Sequence, residues 1–432
     1  MLTPEENELL TRVGPGTPCG DFLRRYWHPI AAASELTDEK PKMRLRILGE
    51  DLVLYRAADG TYGLLAEQCS HRGASLYYGF LEDGGIRCPY HGWLYDTEGR
   101  CVEQPFEPQQ SLLKHTVRHP AYPVEKLSGF LWAYMGPQPA PLLPRWDILV
   151  DQGGIRRLEI RPVLNCNWLQ AEENTGDVTH TYFLHAYTMA TKGRADQGGG
   201  FGRPLQRYGF QPFKWGILKS WTYTGDRGGS GWGNLLVYPN MLRLGGAMHW
   251  RVPIDDGHTK ILRVEYFPPG KAPRGAQAGE TSSDGEPPLT YEAGWLDDQG
   301  EYHLDTFSSQ DGMAWETQGA IFDRTKEHLG ASDTGIVLLR KMLMDGIKAV
   351  QEGREPMGLV RDPEENERID LEQWMAERDL PLGVEDPRNE SRIPREQVFD
   401  NRHQQVEISA GTARIGVVEA LARATAATMR AR

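Results

Sequence analysis

The sequence predicts an α+β protein: a small all-β N-terminal domain, then a larger domain with an antiparallel sheet flanked by helices. Three observations predict it. Between about residues 41 and 145, short alternating stretches such as "LVLYR" and "YGLLAEQ" flank turn residues, here "AADG", which is the mark of hairpins. Further on, "GILKSWTYTG", "GNLLVYPNMLRLGG", "AMHWRVPIDD" and "TKILRVEYFPP" read as successive strands. "SDTGIVLLRKMLMDGIKAVQEG" then places Ile336, Leu339, Met342, Leu343, Ile347 and Val350 at helical spacing, between a Ser/Asp start and a Gly stop.

The elements follow in order. Residues 1–40 read as a helical segment packed on the later domain, with "PEENELLTRV" and "GDFLRRYWHPIAAASEL" separated by the turn "GPGTP". The β-domain runs over 41–145 and closes after "GFLWAYMGPQPAPLLPRW". "RRLEIRPVLNCNW" is expected to enter a second domain, 146–360, as a strand, and "NWLQAEENTGDVTHTYFLHAYT" to follow as a helix. Residues 268–288 are rich in Gly, Pro, Ala and Ser and poor in large apolar residues, the composition of a mobile loop. Residues 361–432 form an extension ending in the helical "VEALARATAATMRAR".

A chain of 432 residues has room for two or three domains, and 39% hydrophobic with 25% charged residues is ordinary for a globular protein. Net charge is −12 and no Lys/Arg run occurs, so neither nucleic acid nor a membrane surface is an expected partner. The N-terminus is acidic and broken by Pro and Gly, unlike a signal peptide, and no apolar run reaches a membrane span. A cytoplasmic protein is expected. Five cysteines are too few for a disulfide framework. Cys19, Cys101 and Cys166 have no partner pattern and read as buried thiols.

The remaining two cysteines lie in "QCSHRGASLYYGFLEDGGIRCPYHGW": Cys69-x-His71, sixteen residues, then Cys88-x-x-His91. A zinc finger pairs two Cys in one knuckle and two His in another. Here each loop supplies one of each. That arrangement suits two irons, with both Cys on one and both His on the other, as in a Rieske [2Fe–2S] centre. Gly73 and Gly92 follow the histidines and Pro89 stiffens the second loop, so backbone N–H groups can approach the cluster.

A second metal site is suggested by "ENTGDVTHTYFLH". One carboxylate with two imidazoles is the ligand set of non-haem Fe(II) with open positions. His180 and His185 are five residues apart, which puts their rings roughly 140° apart on an ideal helix. A π-bulge or a helix end between them is therefore required. Asp177, one turn before His180, is either a ligand or a residue that orients an imidazole. Asp311, Glu316 and Asp323 in "SSQDGMAWETQGAIFDRT" are the alternatives.

Together these motifs resemble the oxygenase component of Rieske non-haem iron aromatic oxygenases, and the likeness covers nearly the whole chain. It is strongest to the phthalate-dioxygenase-like branch, through "NELLTRVGPGTP", "RRYWHPIA", "CPYHGWLYD", "HWRVPIDDGHT" and "AWETQGAIFDRTKEHLGASDTGIVLLR". "LGEDLVLYR", "FLWAYMGPQPAPLLPRW" and "REPMGLVRDPEEN" are similar to the dehydrodivanillate O-demethylase-type subgroup. The resemblance implies a helix-grip (START-like) catalytic domain. It also implies that Cys69 and Cys88 bind one Rieske iron and His71 and His91 the other. His180, His185 and Asp311 would hold the mononuclear iron, and Asp177 would bridge to a Rieske histidine of a neighbouring subunit. Asn174 matches the family's Glu-Asn-x-x-Asp pattern. A Ser is usual after the bridging acid in phthalate dioxygenases, and Val178 departs from it, which argues against phthalate itself.

No strand-linked Gly-x-Gly-x-x-Gly and no four-Cys plant-type pattern occurs, so NADH, flavin and a plant-type [2Fe–2S] cluster are expected on a separate reductase. Electron transfer between subunits requires an oligomer, and the resemblance implies a homotrimer or hexamer. The expected reaction uses O₂ on an aromatic acid: O-demethylation of a methoxy group, or ring dihydroxylation in the alternative. A Rieske electron-transfer protein without oxygenase activity and a zinc-stabilised binding protein are the remaining readings. Pocket candidates are Phe201, Arg203, Arg207, Phe210 and Trp215 in "FGRPLQRYGFQPFKWG", with Met241, Met248 and Met313. Arg203 or Arg207 could pair with a substrate carboxylate.

Overall fold

The computed structural model describes residues 1–194, 205–223, 234–271, 286–376 and 384–385. The expected fold class holds. Thr3 opens the first helix, Pro4–Thr11, with a capping box: its hydroxyl accepts from Glu6 N–H, and the Glu6 carboxylate accepts from Thr3 N–H at 2.8 Å. Thr17 caps the short helix Pro18–Leu23 through its hydroxyl alone, which accepts from Gly20 N–H.

The helical reading then fails. Trp27–Ala32 is a fully buried strand paired antiparallel with Phe130–Tyr134. Pro29 lacks an N–H and would clash inside a helix. In the strand it sits at a bulge between Pro29 and Ala31, where a proline is tolerated.

The strands Lys42–Ile47, Glu50–Arg56, Tyr62–Ala66 and Ala121–Tyr122 form one four-stranded sheet; Phe80–Glu82, Gly85–Arg87, Leu94–Asp96 and Cys101–Glu103 form another. A small core of Val53, Tyr55, Leu65, Leu76, Ile86 and Tyr95 holds the two Cys/His loops from behind.

Among the described residues the largest sheet has nine strands. In spatial order they are 289–291, 155–160, 258–267, 247–255, 241–244, 234–237, 216–223, 205–213 and 384–385. Pleating sorts its side chains onto two faces. On Ala247–Asp255, Met248, Trp250 and Val252 enter the main core, while His249 and Arg251 fall on the other face.

The helix Trp168–Thr175 packs across that strand, capped by Asn167, whose amide also donates to Thr11 O and Asp256 O. Its Glu173 binds Arg324 at 2.8 Å and Arg340 at 2.6 Å, in a buried network that Arg340 extends to Glu327. The long helix Thr334–Gln351 buries Leu338, Leu339, Met342, Leu343 and Ile347. Its start presses on the turn after Thr175 so closely that a Cβ on Gly335 would lie 2.1 Å from Gly176 O.

Cys19, Cys101 and Cys166 are buried free thiols. Among the described residues no helix is long and apolar enough to cross a membrane. Residues 272–285 of the expected loop and the expected C-terminal helix lie outside the described residues.

Candidate metal centres and the cavity beside them

The two Cys/His loops are built alike. In each, the cysteine carbonyl accepts from the N–H of the glycine four residues on: Gly73 to Cys69 at 2.8 Å, Gly92 to Cys88 at 3.1 Å. Both glycines are left-handed, at φ of +73° and +74°, a conformation that a side chain disfavours. Cys69 and Cys88 are buried, and the His71 and His91 rings meet edge to face with centroids 4.5 Å apart. His71 also stacks on Trp93.

The Nδ1 atoms of His71 and His91 are buried without a hydrogen-bond partner, a state that normally carries a cost. An iron at each pair of donors removes it. Four ligands of one tetrahedral zinc would crowd together within about 4 Å of each other. Among the described residues only His180, His185 and Asp311 bring their ligand atoms within 4.8 Å of one another. Cys69 with Cys88 and His71 with His91 make two like pairs, one for each iron of a two-iron cluster. Tyr95 Oη lies 3.3 Å from Cys69 Sγ, in reach to hydrogen-bond the thiolate.

The second centre lies where the helix Trp168–Thr175 ends and the chain restarts. Asp177 turns back on itself: Thr179 N–H and hydroxyl donate to Oδ1 at 2.7 and 2.9 Å, and His180 Nδ1 lies 3.1 Å from Oδ2. Burial alone would push this carboxyl up, but the His180 hydrogen bond and charge and the Thr179 donors outweigh it and hold it at about 2. An ionised carboxylate only accepts, so His180 donates through Nδ1–H, and a metal would bind at Nε2 in place of any proton there.

From Thr181 to Tyr187 the chain is wound as a π-helix. A π-winding turns less per residue than an α-helix, which narrows the angle between residues five apart, and the His180 and His185 rings come within 5.2 Å. Gln310, fully buried, sets the second imidazole. Its amide nitrogen donates to Leu304 O, which leaves Oε1 to accept from His185 Nδ1–H at 2.9 Å. His185 Nε2 then lies 3.4 Å from Asp311 Oδ1, a buried atom without a hydrogen-bond partner. Two Nε2 lone pairs and one carboxylate converging with room beside them fit a non-haem iron site.

That room is a cavity of about 220 Å³, walled by Asn174, Asp177, His180, His185 and Asp311 at the metal end. Trp221, Leu242, Leu244, Phe307 and Trp315 give it apolar wall; Arg161, Lys219, His249, Arg251 and Arg263 give it a basic one. Of the other acids considered, Glu316 is engaged by Asn165 and Tyr302, and Asp323 by Thr325 and Lys326.

Several expected pocket residues lie elsewhere. Trp215, Met241 and Met248 are in the hydrophobic core, Met248 because strand parity turns it away from its neighbour His249. Phe210 packs on Val178 and Trp221 in a small cluster behind the wall, and Met313 shares the helix of Asp311 without lining the cavity. Phe201, Arg203 and the Arg207 side chain lie outside the described residues.

Comparison with known proteins agrees with this geometry. Residues 26–123 match the family model for the Rieske [2Fe-2S] domain, and residues 297–375 match "LigXa C-terminal domain like". The chain is 39% identical to the 5,5'-dehydrodivanillate O-demethylase oxygenase subunit of Sphingobium sp. (strain NBRC 103272 / SYK-6), over 86% of this chain and 86% of that protein. It is 34% identical to the phthalate 4,5-dioxygenase oxygenase subunit of Pseudomonas putida, over 83% and 89%. Among solved structures, NdmA of Pseudomonas putida CBB5 with caffeine shares the fold, with a TM-score of 0.54 at 19% identity, over 78% of this chain and 94% of that one.

Proposed function

The chain belongs to the Rieske non-haem iron oxygenases as a terminal oxygenase subunit, and from that premise we propose that it O-demethylates a methoxylated aromatic acid. A Rieske [2Fe–2S] cluster and a mononuclear iron are its cofactors. The observation that carries the proposal is the cavity beside His180, His185 and Asp311, apolar on part of its wall and basic on the rest. An aromatic ring with a carboxylate matches both, and the likeness to an O-demethylase subunit supports the choice of reaction.

In this reading Cys69, Cys88, His71 and His91 hold the cluster, and His180, His185 and Asp311 hold the mononuclear iron, which activates O₂ when bound. The cavity residues place the methoxy carbon next to it and limit water. O₂, two electrons and two protons convert the methyl C–H to C–OH with release of water. The resulting hemiacetal breaks its O–CH₂OH bond to give formaldehyde and a phenol.

The electrons come from NADH through a separate reductase and cross between subunits of a trimer or hexamer at Asp177. Exposed aromatic side chains support such docking on both ends: Tyr78, Phe80, Tyr90 and Phe106 around the cluster loops, Phe183 and Tyr187 beside His185. The division into a cluster-bearing domain over 41–145 and an iron-bearing domain over 146–360 belongs to the same proposal.

Ring dihydroxylation is the second reading, favoured by the likeness to a phthalate dioxygenase subunit. Turnover of methoxylated and unmethoxylated aromatic acids with NADH, a compatible reductase and O₂ separates the two. Formaldehyde in step with NADH consumption supports demethylation, and a dihydrodiol without formaldehyde overturns it.

A further inference from the structure

Two basic side chains of the cavity stand apart from the others in how they are bonded. Arg161 and Arg263 are committed to Glu159 and to further acids, Glu292 for the first and Glu265 for the second. Lys219 donates to Thr175 O. Arg251 is 2% exposed, yet its Nε and Nη1 have no hydrogen-bond partner. Its nearest acid, Glu172, stays 3.7 Å away with both oxygens likewise unbonded. Burial pushes the Glu172 carboxyl up to about 8 against the pull of Arg251 and Lys219, so it neutralises Arg251 poorly.

His249 is two residues earlier on the same strand and so on the same face, about 7 Å along. Arg263 Nε lies 3.1 Å from His249 Nε2. A guanidinium can only donate, so Nε2 accepts, and the neutral ring carries its proton on Nδ1. That Nδ1–H is left for the cavity the ring lines. Burial beside Arg161, Arg251 and Arg263 holds the imidazole neutral, well below its usual range.

We propose that His249 Nδ1–H and the Arg251 guanidinium together hold the carboxylate of the substrate and make this cavity select aromatic acids over their neutral analogues. The proposal rests on the aromatic-acid reading of the same cavity. Both groups are specificity determinants, and neither is asked to touch the oxygen chemistry.

The test is anaerobic calorimetric binding of 3,4-dimethoxybenzoate and 3,4-dimethoxybenzamide to the iron-loaded oligomer. Wild type should bind the acid more tightly. Arg251→Met should weaken acid binding by about 10- to 100-fold, the scale of a hydrogen bond to a charged group, and leave the amide within about threefold. Arg251→Lys, which keeps the charge without the fork, should recover part of the loss. His249→Leu should weaken the acid, and His249→Asn, whose amide N–H can replace Nδ1–H, should restore it. The histidine pair serves if Arg251→Met fails to assemble, judged by cluster absorption and oligomer size.

A wild type that binds the amide as tightly as the acid, or binds neither, overturns the proposal. So does an unchanged acid-to-amide ratio in Arg251→Met and His249→Leu. Formaldehyde is scored separately. An acid preference that these variants abolish, in a wild type that makes no formaldehyde, keeps the clamp and refutes the demethylase. Formaldehyde release with acid and amide bound alike does the reverse.

Discussion

Replacing Gln310 by Leu tests whether the mononuclear site depends on an imidazole pinned from behind. The side chain is fully buried and makes two hydrogen bonds, accepting from His185 Nδ1–H at 2.9 Å and donating to Leu304 O at 3.0 Å. Leucine leaves both partners without that bond, in a place where His185 is 4% exposed. Each buried group left unsatisfied costs about 1–3 kcal/mol. The loss at His185 also frees the ring to rotate, or to move its proton to Nε2, the atom that must face the metal. Outer contacts of this kind are typically worth 10- to 100-fold in metal affinity, about 1.4–2.7 kcal/mol, which agrees with the hydrogen-bond figure. Iron per subunit, measured after dialysis against graded chelator, should therefore fall at a 10- to 100-fold lower chelator concentration, while the visible absorption of the [2Fe–2S] cluster stays intact. Gln310→Glu keeps the acceptor and should retain iron much better than the leucine variant. Retention of iron by Gln310→Leu at the wild-type chelator midpoint would refute the reasoning.

Other expectations are as direct. Asp177→Asn should leave both centres assembled but slow reoxidation of the reduced cluster in a single turnover by roughly 10- to 100-fold; a wild-type rate would remove Asp177 from the electron path. Tyr95→Phe deletes the contact to Cys69 Sγ, and a bond about 1 kcal/mol stronger to the reduced cluster corresponds to a potential lower by about 40 mV, read by spectroelectrochemistry. Glu173→Ala strands Arg324 and Arg340 in the interior and should cost roughly 3–5 kcal/mol in denaturant unfolding. Burial works to raise the Glu173 carboxyl, yet those two arginines hold it below its ordinary 4.5. Its contribution is thus full above that pH and lost as pH falls below it, so Glu173→Gln should flatten the acid limb of the stability curve.

How much of this was legible in the sequence follows from how local each feature is. The cluster loops are contiguous turns whose Cys, His and Gly fall within five residues, so spacing alone carries them. The His180/His185 pair was legible as a conflict: their spacing fits no ideal α-helix, and the chain answers with a helix end at Thr175 and a π-wound stretch from Thr181. The cavity wall was not legible. It is assembled from strands far apart in the chain, where a one-residue change of parity exchanges Met248 for His249. Gln310 carries no sequence signal, since nothing in "SSQDGMAWE" distinguishes a buried amide that pins a histidine from an ordinary helix residue beside Asp311. Trp27–Ala32 reads as helix because its alanines favour one, while the strand that pairs with it lies about a hundred residues on.

The same long-range packing fixes the turn that carries the iron-site residues. Asp177 and His180 follow a helix that is locked at Glu173 to arginines from two other segments, and at Gly176 to the backbone of Gly335. A helix terminus fixed on both sides cannot slide, so the Asp177 turn starts from a set point from which its carboxylate orients His180. Glu172, one residue before Glu173, is carried by the same helix to within 3.7 Å of Arg251 on the cavity wall. One buried helix thereby sets the metal end of the cavity through its terminus and the basic wall through its face. The ion network behind it acts on function through position, although none of its members touches metal or substrate.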